Sequence, residues 1–328
     1  MSVIFVTRPI EESGLKLLKG KGHRVIVRKT ESAPTKDELV AALREHRPDA
    51  LLCLLTDKID GEVMDAGKPN LKVIANYAVG YDNIDAAAAK TRGIRTTFTP
   101  GASTDAVAEF TVTVVLALAH KIIAGDAFMR AGKYTTWDPF LCLGFEAKRK
   151  TIGIIGLGRI GFGIAERCVK GLGLRVVYND VQPNANFEQQ YGQSFRAIED
   201  LLRESDFVSL NVPLLPSTRH LMNEERLMLM KPTAYLINTA RGPIVDERAL
   251  IRALEEHWIA GAALDVHECE PALTCDPKDR ARLLALPNVI LTPHIASATI
   301  EARQTMSLCA AENILAALEG HEPPNPIP

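Results

Sequence analysis

Short apolar runs alternate along the chain with stretches whose apolar positions recur at helical spacing. In the first hundred residues, β-like runs at 3–7, 24–28, 50–55 and 71–75 are separated by amphipathic segments at 10–20 and 35–46. This order predicts βα units, a parallel sheet and helices on its faces. Thr99-Pro100-Gly101 breaks the pattern, and Thr104 or Asp105 then caps a long helix running to about Met129. The helix is apolar nearly all round from Ala106 to Leu118, so it is expected to lie buried between layers. Between 132 and 150 periodicity is lost, and Tyr134, Trp137, Phe140, Leu141, Leu143 and Phe145 crowd an irregular stretch. So much apolar surface outside a regular element points to contact with a second subunit, with a strap over the chain's own core as the alternative. Strands recur at 174–178, 207–212, 234–238, 260–265 and 289–292, with helical stretches at 158–172, 196–204, 223–230 and 246–257, as in a doubly wound sheet. A last helix at 298–319 is expected to pack back on the N-terminal region, leaving 323–328 as a frayed tail.

The centre of this pattern is the run Thr151-Ile-Gly-Ile-Ile-Gly156-Leu-Gly158-Arg159-Ile160-Gly161, a buried strand turning directly into a helix. Its glycines have the spacing G-x-G-x-x-G. The first permits a tight turn, the second lets a pyrophosphate approach the backbone, and the third lets helix and strand pack closely. Glycines also end strands for purely structural reasons, so the remainder of the unit matters. A helix, a second strand and Asp180, 19 residues after Gly161, all follow in place. A carboxylate there accepts hydrogen bonds from the ribose hydroxyls of an adenine dinucleotide.

A length of 328 residues exceeds the usual single core and predicts two domains. The expected division is a discontinuous domain, 1–99 with 293–328, and a nucleotide-binding domain at 100–292. Lys and Arg total 38 against 40 Asp and Glu, a net charge of −2 that gives no general attraction to nucleic acid or to a membrane surface. Six scattered cysteines (Cys53, Cys142, Cys168, Cys269, Cys275, Cys309) form no C-x-x-C pair and are expected to be reduced thiols. The opening Ser-Val-Ile-Phe-Val-Thr reads as a strand rather than a leader, and the apolar stretch 110–119 is too short to span a bilayer, so the expected compartment is the cytoplasm.

Three strand ends in the second half each deliver a side chain suited to chemistry: Arg241 after Leu-Ile-Asn-Thr-Ala, Glu270 after Leu-Asp-Val-His-Glu-Cys, and His294 after Leu-Thr-Pro. C-terminal strand ends of a doubly wound sheet converge on the cofactor crevice. An arginine grips a carboxylate through its fork and polarises a neighbouring carbonyl. A histidine exchanges the hydroxyl proton, and a glutamate on its other ring nitrogen fixes the tautomer and favours the imidazolium. Each has a plainer reading, as a turn cap, a solvated turn residue or a structural histidine. His267, Glu268, Cys269, Glu270 and Cys275 fit no metal-ligand template, so no metal is expected. The polar loop Asn76-Tyr-Ala-Val79-Gly80-Tyr-Asp-Asn-Ile-Asp85 follows another strand and is by position alone either a ligand loop or a connector.

These motifs together resemble the D-isomer-specific 2-hydroxyacid dehydrogenases. The matching stretches are the glycine loop, Asn238-Thr-Ala-Arg-Gly-Pro243, Leu264-Asp-Val-x-x-x-Glu-Pro271 and Leu291-Thr-Pro-His-Ile-Ala-Ser297, and loop 76–85 is most similar to the glyoxylate/hydroxypyruvate reductase branch. The resemblance implies two Rossmann-like α/β domains with a cleft between them, a homodimer joined through the segment containing Trp137 and Phe140, and NAD-linked interconversion of a small 2-oxo and D-2-hydroxy acid. It places the catalytic trio at Arg241, Glu270 and His294 and the substrate-carboxylate loop at Val79 and Gly80, with Arg241 and His294 also touching substrate. It puts the nicotinamide amide at Asp265. Further cofactor contacts are implied at Thr104, Arg159, Ile160, Val212, Pro213, Thr218, Thr239, Ala240, Arg241 and His294. Asp180-Val-Gln-Pro-Asn184 lacks the basic or hydroxyl residues found there in many glyoxylate reductases, so NADH is expected to be preferred over NADPH. Val79 stands where phosphite dehydrogenases carry lysine, which argues against that activity, and no regulatory domain like that of many phosphoglycerate dehydrogenases is expected. The alternatives are a D-3-phosphoglycerate or D-lactate-type enzyme, or a nucleotide-sensing protein like the corepressors that share this fold.

Overall fold

Strands that are apolar on both faces belong in parallel sheets covered by helices on either side. The computed structural model, which describes residues 1–270 and 276–328, contains two such sheets. The chain divides into two units, Met1–Ser103 with Ala298–Pro328, and Thr104–Ser297. The second break falls five residues later than the expected 292/293, and His294 therefore belongs to the same unit as Arg241 and Glu270.

In the first unit β1 (Val3–Val6), β2 (Arg24–Val27), β3 (Ala50–Leu54), β4 (Val73–Tyr77) and β5 (Arg95–Thr97) pair in parallel in the order β2-β1-β3-β4-β5. The connecting helices are α1 (Glu12–Gly20), α2 (Lys36–His46), α3 (Gly61–Ala66) and α4 (Ala86–Thr91). Alternate side chains feed opposite cores, as strand geometry requires. Ile4, Val6, Leu52 and Ala75 face α1 and the C-terminal helix Ile300–Leu318, and Phe5, Leu51, Cys53 and Ile74 face α2 and α3. Gly14 of α1 fixes the C-terminal helix in place. Its N–H donates to Ser307 Oγ at 2.9 Å, and a Cβ there would lie 2.0 Å from the Ser307 carbonyl oxygen. The last residues are not frayed. Ile327 N–H donates to Thr96 O at 2.9 Å and Phe98 N–H to Asn325 O at 3.2 Å, so the tail covers the exposed edge of β5.

In the second unit α5 (Thr104–Ala119) and α6 (Ile122–Arg130) precede β6 (Thr151–Ile155), α7 (Arg159–Arg167), β7 (Arg175–Asn179), α8 (Ala185–Tyr191), β8 (Ser194–Phe195) and α9 (Ile198–Glu204). They are followed by β9 (Phe207–Leu210), α10 (Glu224–Leu229), β10 (Tyr235–Asn238), α11 (Glu247–Glu255), β11 (Gly261–Leu264), α12 (Pro277–Ala285) and β12 (Val289–Leu291). Among the described residues the seven strands run in the order β12-β11-β10-β9-β6-β7-β8. The doubly wound α/β reading therefore holds in both units.

The single long helix expected from 104 to 129 is instead two helices bent by 65° at Lys121, whose φ is 55°. The break follows from the strap beyond: Phe145 N–H caps the Ala119 carbonyl at 3.0 Å, and Gly144 packs where a Cβ would lie 2.1 Å from that oxygen. Only α5 is buried, and α6 has no buried residue. No single helix among the described residues is long and apolar enough to cross a membrane. The aromatic segment also divides. Phe145 packs on Phe207 and Tyr235 of its own core, whereas Trp137 is 74% and Phe140 77% exposed. Cys53, Cys142, Cys168 and Cys309 are free, but Cys269 is disulfide-bonded, against the expectation of reduced thiols. Spacing in sequence does not reveal whether loop geometry brings two Cβ atoms within bonding range. Cys275 lies outside the described residues.

Candidate active site

The glycine loop has the geometry its spacing predicts. Gly156 has φ 92°, and a Cβ there would meet the Asn211 carbonyl oxygen at 2.7 Å, so only glycine turns the chain this close to the end of β9. At Gly161 a Cβ would lie 2.0 Å from Gly156 O, whereas at Gly158 it would meet nothing within 4 Å. Gly158 is the N-cap of α7 and contributes no capping side chain, so the first-turn N–H groups face outward at the positive end of the helix. Arg159 is exposed and Ile160 half-buried in that first turn, and Thr104 lies beside α7 next to Gly163.

Asp180, at the end of β7, has its carboxylate turned toward this loop: Oδ2 accepts the Leu157 N–H and Oδ1 the Val181 N–H, each at 2.7 Å. Each oxygen keeps a second lone pair for a ribose hydroxyl. Arg196, the next basic residue in the chain, is held elsewhere, with Nε on Glu204 at 2.8 Å and Nη1 on Phe195 O at 2.9 Å. Val212 packs against Gly156, and Thr218 closes the following loop by donating to Pro213 O at 2.6 Å. Thr239 approaches Thr111 at 3.3 Å, and Ala240 N–H is held by Asn238 Oδ1 at 3.1 Å. The Asn211 Oδ1 atom is buried with no hydrogen-bond partner among the described residues. An open glycine, an uncapped helix start, a carboxylate at the second strand and a buried unpaired acceptor together fit a dinucleotide.

Strand register brings the chemical groups to one end of the sheet. Asn238 pairs with Leu264, and Leu264 with Leu291, so Arg241, Asp265 and His294 leave three adjacent strands at the same level. His294 Nδ1 lies 2.8 Å from Glu270 Oε2, and both side chains are about three-quarters buried (25% and 21% exposed). The contact engages Nδ1 and leaves Nε2 as the ring nitrogen available for proton exchange. Arg241 begins the short helical turn Gly242–Ile244, with Nη1 donating to its neighbour Ala240 O at 2.8 Å and its own carbonyl accepting from Asn238 Nδ2 at 2.9 Å.

Asp265 does something its motif did not announce. It is 1% exposed, and its carboxylate accepts from Thr292 Oγ1 at 2.7 Å and from the Ile295 and Ala296 N–H groups at 2.8 Å each. These bonds shape the turn in which His294 adopts φ 57°, a left-handed conformation that a histidine holds only when its surroundings enforce it. Thr292 was visible in the Leu-Thr-Pro-His motif only as a letter, because its partner is 27 residues away.

Val79 and Gly80 belong to the first unit, after β4, and both are half-buried. Asn76 Nδ2 donates to Gly80 O and to Asn83 Oδ1 at 2.9 Å each, and Asn83 Nδ2 holds Leu54 O and Asp57 O at 3.0 Å each. The loop is thus a shaped element rather than a loose connector.

The family model for the NAD binding domain of D-isomer specific 2-hydroxyacid dehydrogenases matches residues 112–296. A glyoxylate reductase of Thermofilum pendens is 50% identical over 323 residues, covering 98% of this chain and 93% of its own. A crystal structure of a protein from Thermus thermophilus superposes with a TM-score of 0.91 at 43% identity, covering 99% of this chain and all of the other. An NADPH-dependent glyoxylate/hydroxypyruvate reductase from Sinorhizobium meliloti, solved with NADP and malonate, gives a TM-score of 0.83 at 30% identity, with coverage of 99% and 96%.

Proposed function

The chain belongs to the D-isomer specific 2-hydroxyacid dehydrogenases, and we propose that it reduces glyoxylate, with hydroxypyruvate as a second substrate, using NADH. The observation that carries the chemistry is the 2.8 Å contact between His294 Nδ1 and Glu270 Oε2 at the sheet end where Arg241 also emerges. When bound, the reduced nicotinamide supplies the hydride. His294 delivers a proton from Nε2 to the developing alkoxide. Glu270 fixes the ring through Nδ1 and balances the positive charge while both ring nitrogens carry protons. Arg241 holds the substrate carboxylate and polarises the adjacent carbonyl.

The remaining cofactor contacts would follow the glycine loop, with Asp180 against the adenosine ribose. Asp265, buried and bonded to Thr292 and to the Ile295 and Ala296 N–H groups, would instead act by shaping the His294 turn and not by holding the nicotinamide amide that the resemblance implies there. Preference for NADH rests on Asp180, since Arg196 is committed to Glu204 and Val181 to Asn184 offer no cation. The reading includes a homodimer. Ile122, Met129, Tyr134, Trp137, Phe140 and Leu143 are each about half to three-quarters exposed on α6 and the segment that follows, an apolar patch suited to a second copy of the chain.

The test is NADH oxidation against glyoxylate, hydroxypyruvate, pyruvate and longer 2-oxo acids, for the native protein and for His294→Ala. Glyoxylate is expected to give the highest kcat/KM, and the variant to lose roughly 100-fold or more in kcat. Absence of turnover with every acid would favour a nucleotide-sensing binding protein. Near-native turnover by the variant would remove His294 from the mechanism.

A further inference from the structure

The order of strands in the second unit lays out an order of ligand groups. Strand β6 enters the glycine turn, with β7 on one side of it and β9 on the other, and the chain leaves β6 toward β7 but leaves β9 toward β10. A crevice opens outside the carboxyl ends of the strands at such a switch point. Neighbouring strands stand about 4.8 Å apart, so the ends of β7, β6, β9 and β10 span about 14 Å. Asp180, at the end of β7, belongs to the adenosine ribose in the reading above, and the glycine turn after β6 belongs to the pyrophosphate. Arg241, after β10, belongs to the reacting end. The part of a dinucleotide between its pyrophosphate and its nicotinamide is the second ribose. The strand between β6 and β10 is β9.

Asn211 follows β9 directly. Its N–H donates to Ile155 O at 2.8 Å, which carries the pairing with β6 one step past the strand and sets Asn211 beside Gly156. On the other side, the pairing of Leu210 with Asn238 sets Asn211 level with Thr239. Asn211 is half-buried, so it lies at the edge of the core and not within it. The orientation of its amide is fixed by what it touches. Nδ2 donates to Ser209 O and to Ser209 Oγ, each at 3.1 Å, and a carbonyl oxygen only accepts, so the nitrogen is the atom turned back to Ser209. Oδ1 is the atom turned away, and it is buried with no hydrogen-bond partner among the described residues. The hydroxyls across from it are already used. Thr111 Oγ1 donates to Val107 O at 2.8 Å, so the hydrogen in its 3.3 Å contact with Thr239 comes from Thr239.

An acceptor in this state costs free energy while it lacks a donor, and a ligand that brings one recovers that cost on binding. Pyrophosphate oxygens carry no hydrogen to give. Ribose hydroxyls do. We propose that Asn211 Oδ1 accepts a hydrogen bond from a hydroxyl of the nicotinamide-side ribose, which makes Asn211 a binding residue for the second half of the cofactor. The proposal rests on the reading of the glycine turn and Asp180 as the seats of the pyrophosphate and the adenosine ribose. Asp180 and Asn211 then serve the two riboses, one with a carboxylate and the other with a neutral amide. The amide suits its place beside the glycine turn, where a second carboxylate would repel the pyrophosphate.

The experiment measures the Kd of ADP, ADP-ribose and NADH by isothermal titration calorimetry, together with Tm, for native protein, Asn211→Ala and Asn211→Ser. ADP carries the adenosine ribose and the pyrophosphate, ADP-ribose adds the second ribose, and NADH adds the nicotinamide. Asn211→Ala is expected to weaken ADP-ribose and NADH by about 3- to 10-fold, the worth of one neutral hydrogen bond, and to leave ADP unchanged. Asn211→Ser keeps a hydroxyl beside Ser209 but is too short to replace Oδ1, so it is expected to show the same split and carries the test where the alanine variant does not fold. A buried water at Oδ1, or a purely structural role for the amide, would leave all three nucleotides unchanged or weaken them alike, whatever happens to Tm, and either result overturns the proposal. Loss of affinity for NADH alone would make the nicotinamide amide the donor and overturn the ribose assignment. If native protein binds none of the three, the dinucleotide reading itself falls. If native protein binds them and the variants show no split, only the role of Asn211 falls.

Discussion

Replacing Asp180 with asparagine removes one charge from the cofactor loop and one of the two backbone bonds its carboxylate accepts, that from the exposed Val181 N–H. The amide oxygen of the variant can still accept the Leu157 N–H that Asp180 Oδ2 takes at 2.7 Å, so the glycine loop keeps its tie to β7. With a ribose hydroxyl bonded to Asp180, the 2′-phosphate of NADPH would lie about 4 Å from the carboxylate. Two like charges at that distance repel by about 4 kcal/mol at an effective dielectric near 20 and by about 1 kcal/mol in water. Asp180 is half-buried beside Val181, which is 98% exposed, so the site falls between these limits. A penalty of about 2 to 3 kcal/mol corresponds to roughly 30- to 150-fold in kcat/KM. The assay is steady-state kinetics with glyoxylate and each cofactor. Native protein is expected to prefer NADH by about 100-fold, and Asp180→Asn to bring the two cofactors within roughly 10-fold, mainly by improving NADPH. A native ratio near unity, or a ratio that the substitution leaves unchanged, would show that Asp180 does not face the ribose.

Sedimentation at micromolar concentration should give a dimer, and Trp137→Ser with Phe140→Ser should shift it toward monomer; a native monomer would refute the role of the exposed aromatic segment. Gly14→Ala should lower Tm, because its Cβ would displace the Ser307 carbonyl from α1, at a cost of about 1–3 kcal/mol typical of overpacking; an unchanged Tm would mean that the C-terminal helix moves freely. Burial raises the Glu204 carboxyl, but hydrogen bonds and charge from Arg175, then Arg196, outweigh it and hold the group below its ordinary 4.5. A lowered carboxyl contributes stability that is present above its unfolded value and lost as pH falls through its folded value. Glu204→Gln should therefore have a lower Tm than native protein at pH 7, with the gap shrinking as pH falls below the ordinary 4.5; a gap that acidification leaves unchanged would contradict the assignment.

Local rules were enough to read the glycine loop, Asp180 and the strand-end residues, because each depends on neighbours in sequence: a turn that only glycine can make, and a carboxylate at the end of the next strand. The same rules gave the alternation of strands and helices, since burial on both faces leaves a continuous apolar imprint on each strand. They missed α3, α4, β5, α8 and β8, which are too short to show a period, and α12, whose one fully buried residue is Leu283, and they ran α5 and α6 together because a break imposed by Phe145 and Gly144 leaves no mark between 104 and 129. They also read the final residues as frayed, though a pairing with β5 more than 200 positions away holds them. At the site, sequence supplied Arg241, Glu270 and His294 as types suited to their chemistry, and the register of β10, β11 and β12 decided that they emerge together. The supporting bonds belong to tertiary structure alone. Asp265 reaches Thr292 and the His294 turn, and Glu270 reaches His294 across 24 positions, because hydrogen bonds are set by distance in space and have no period along the chain.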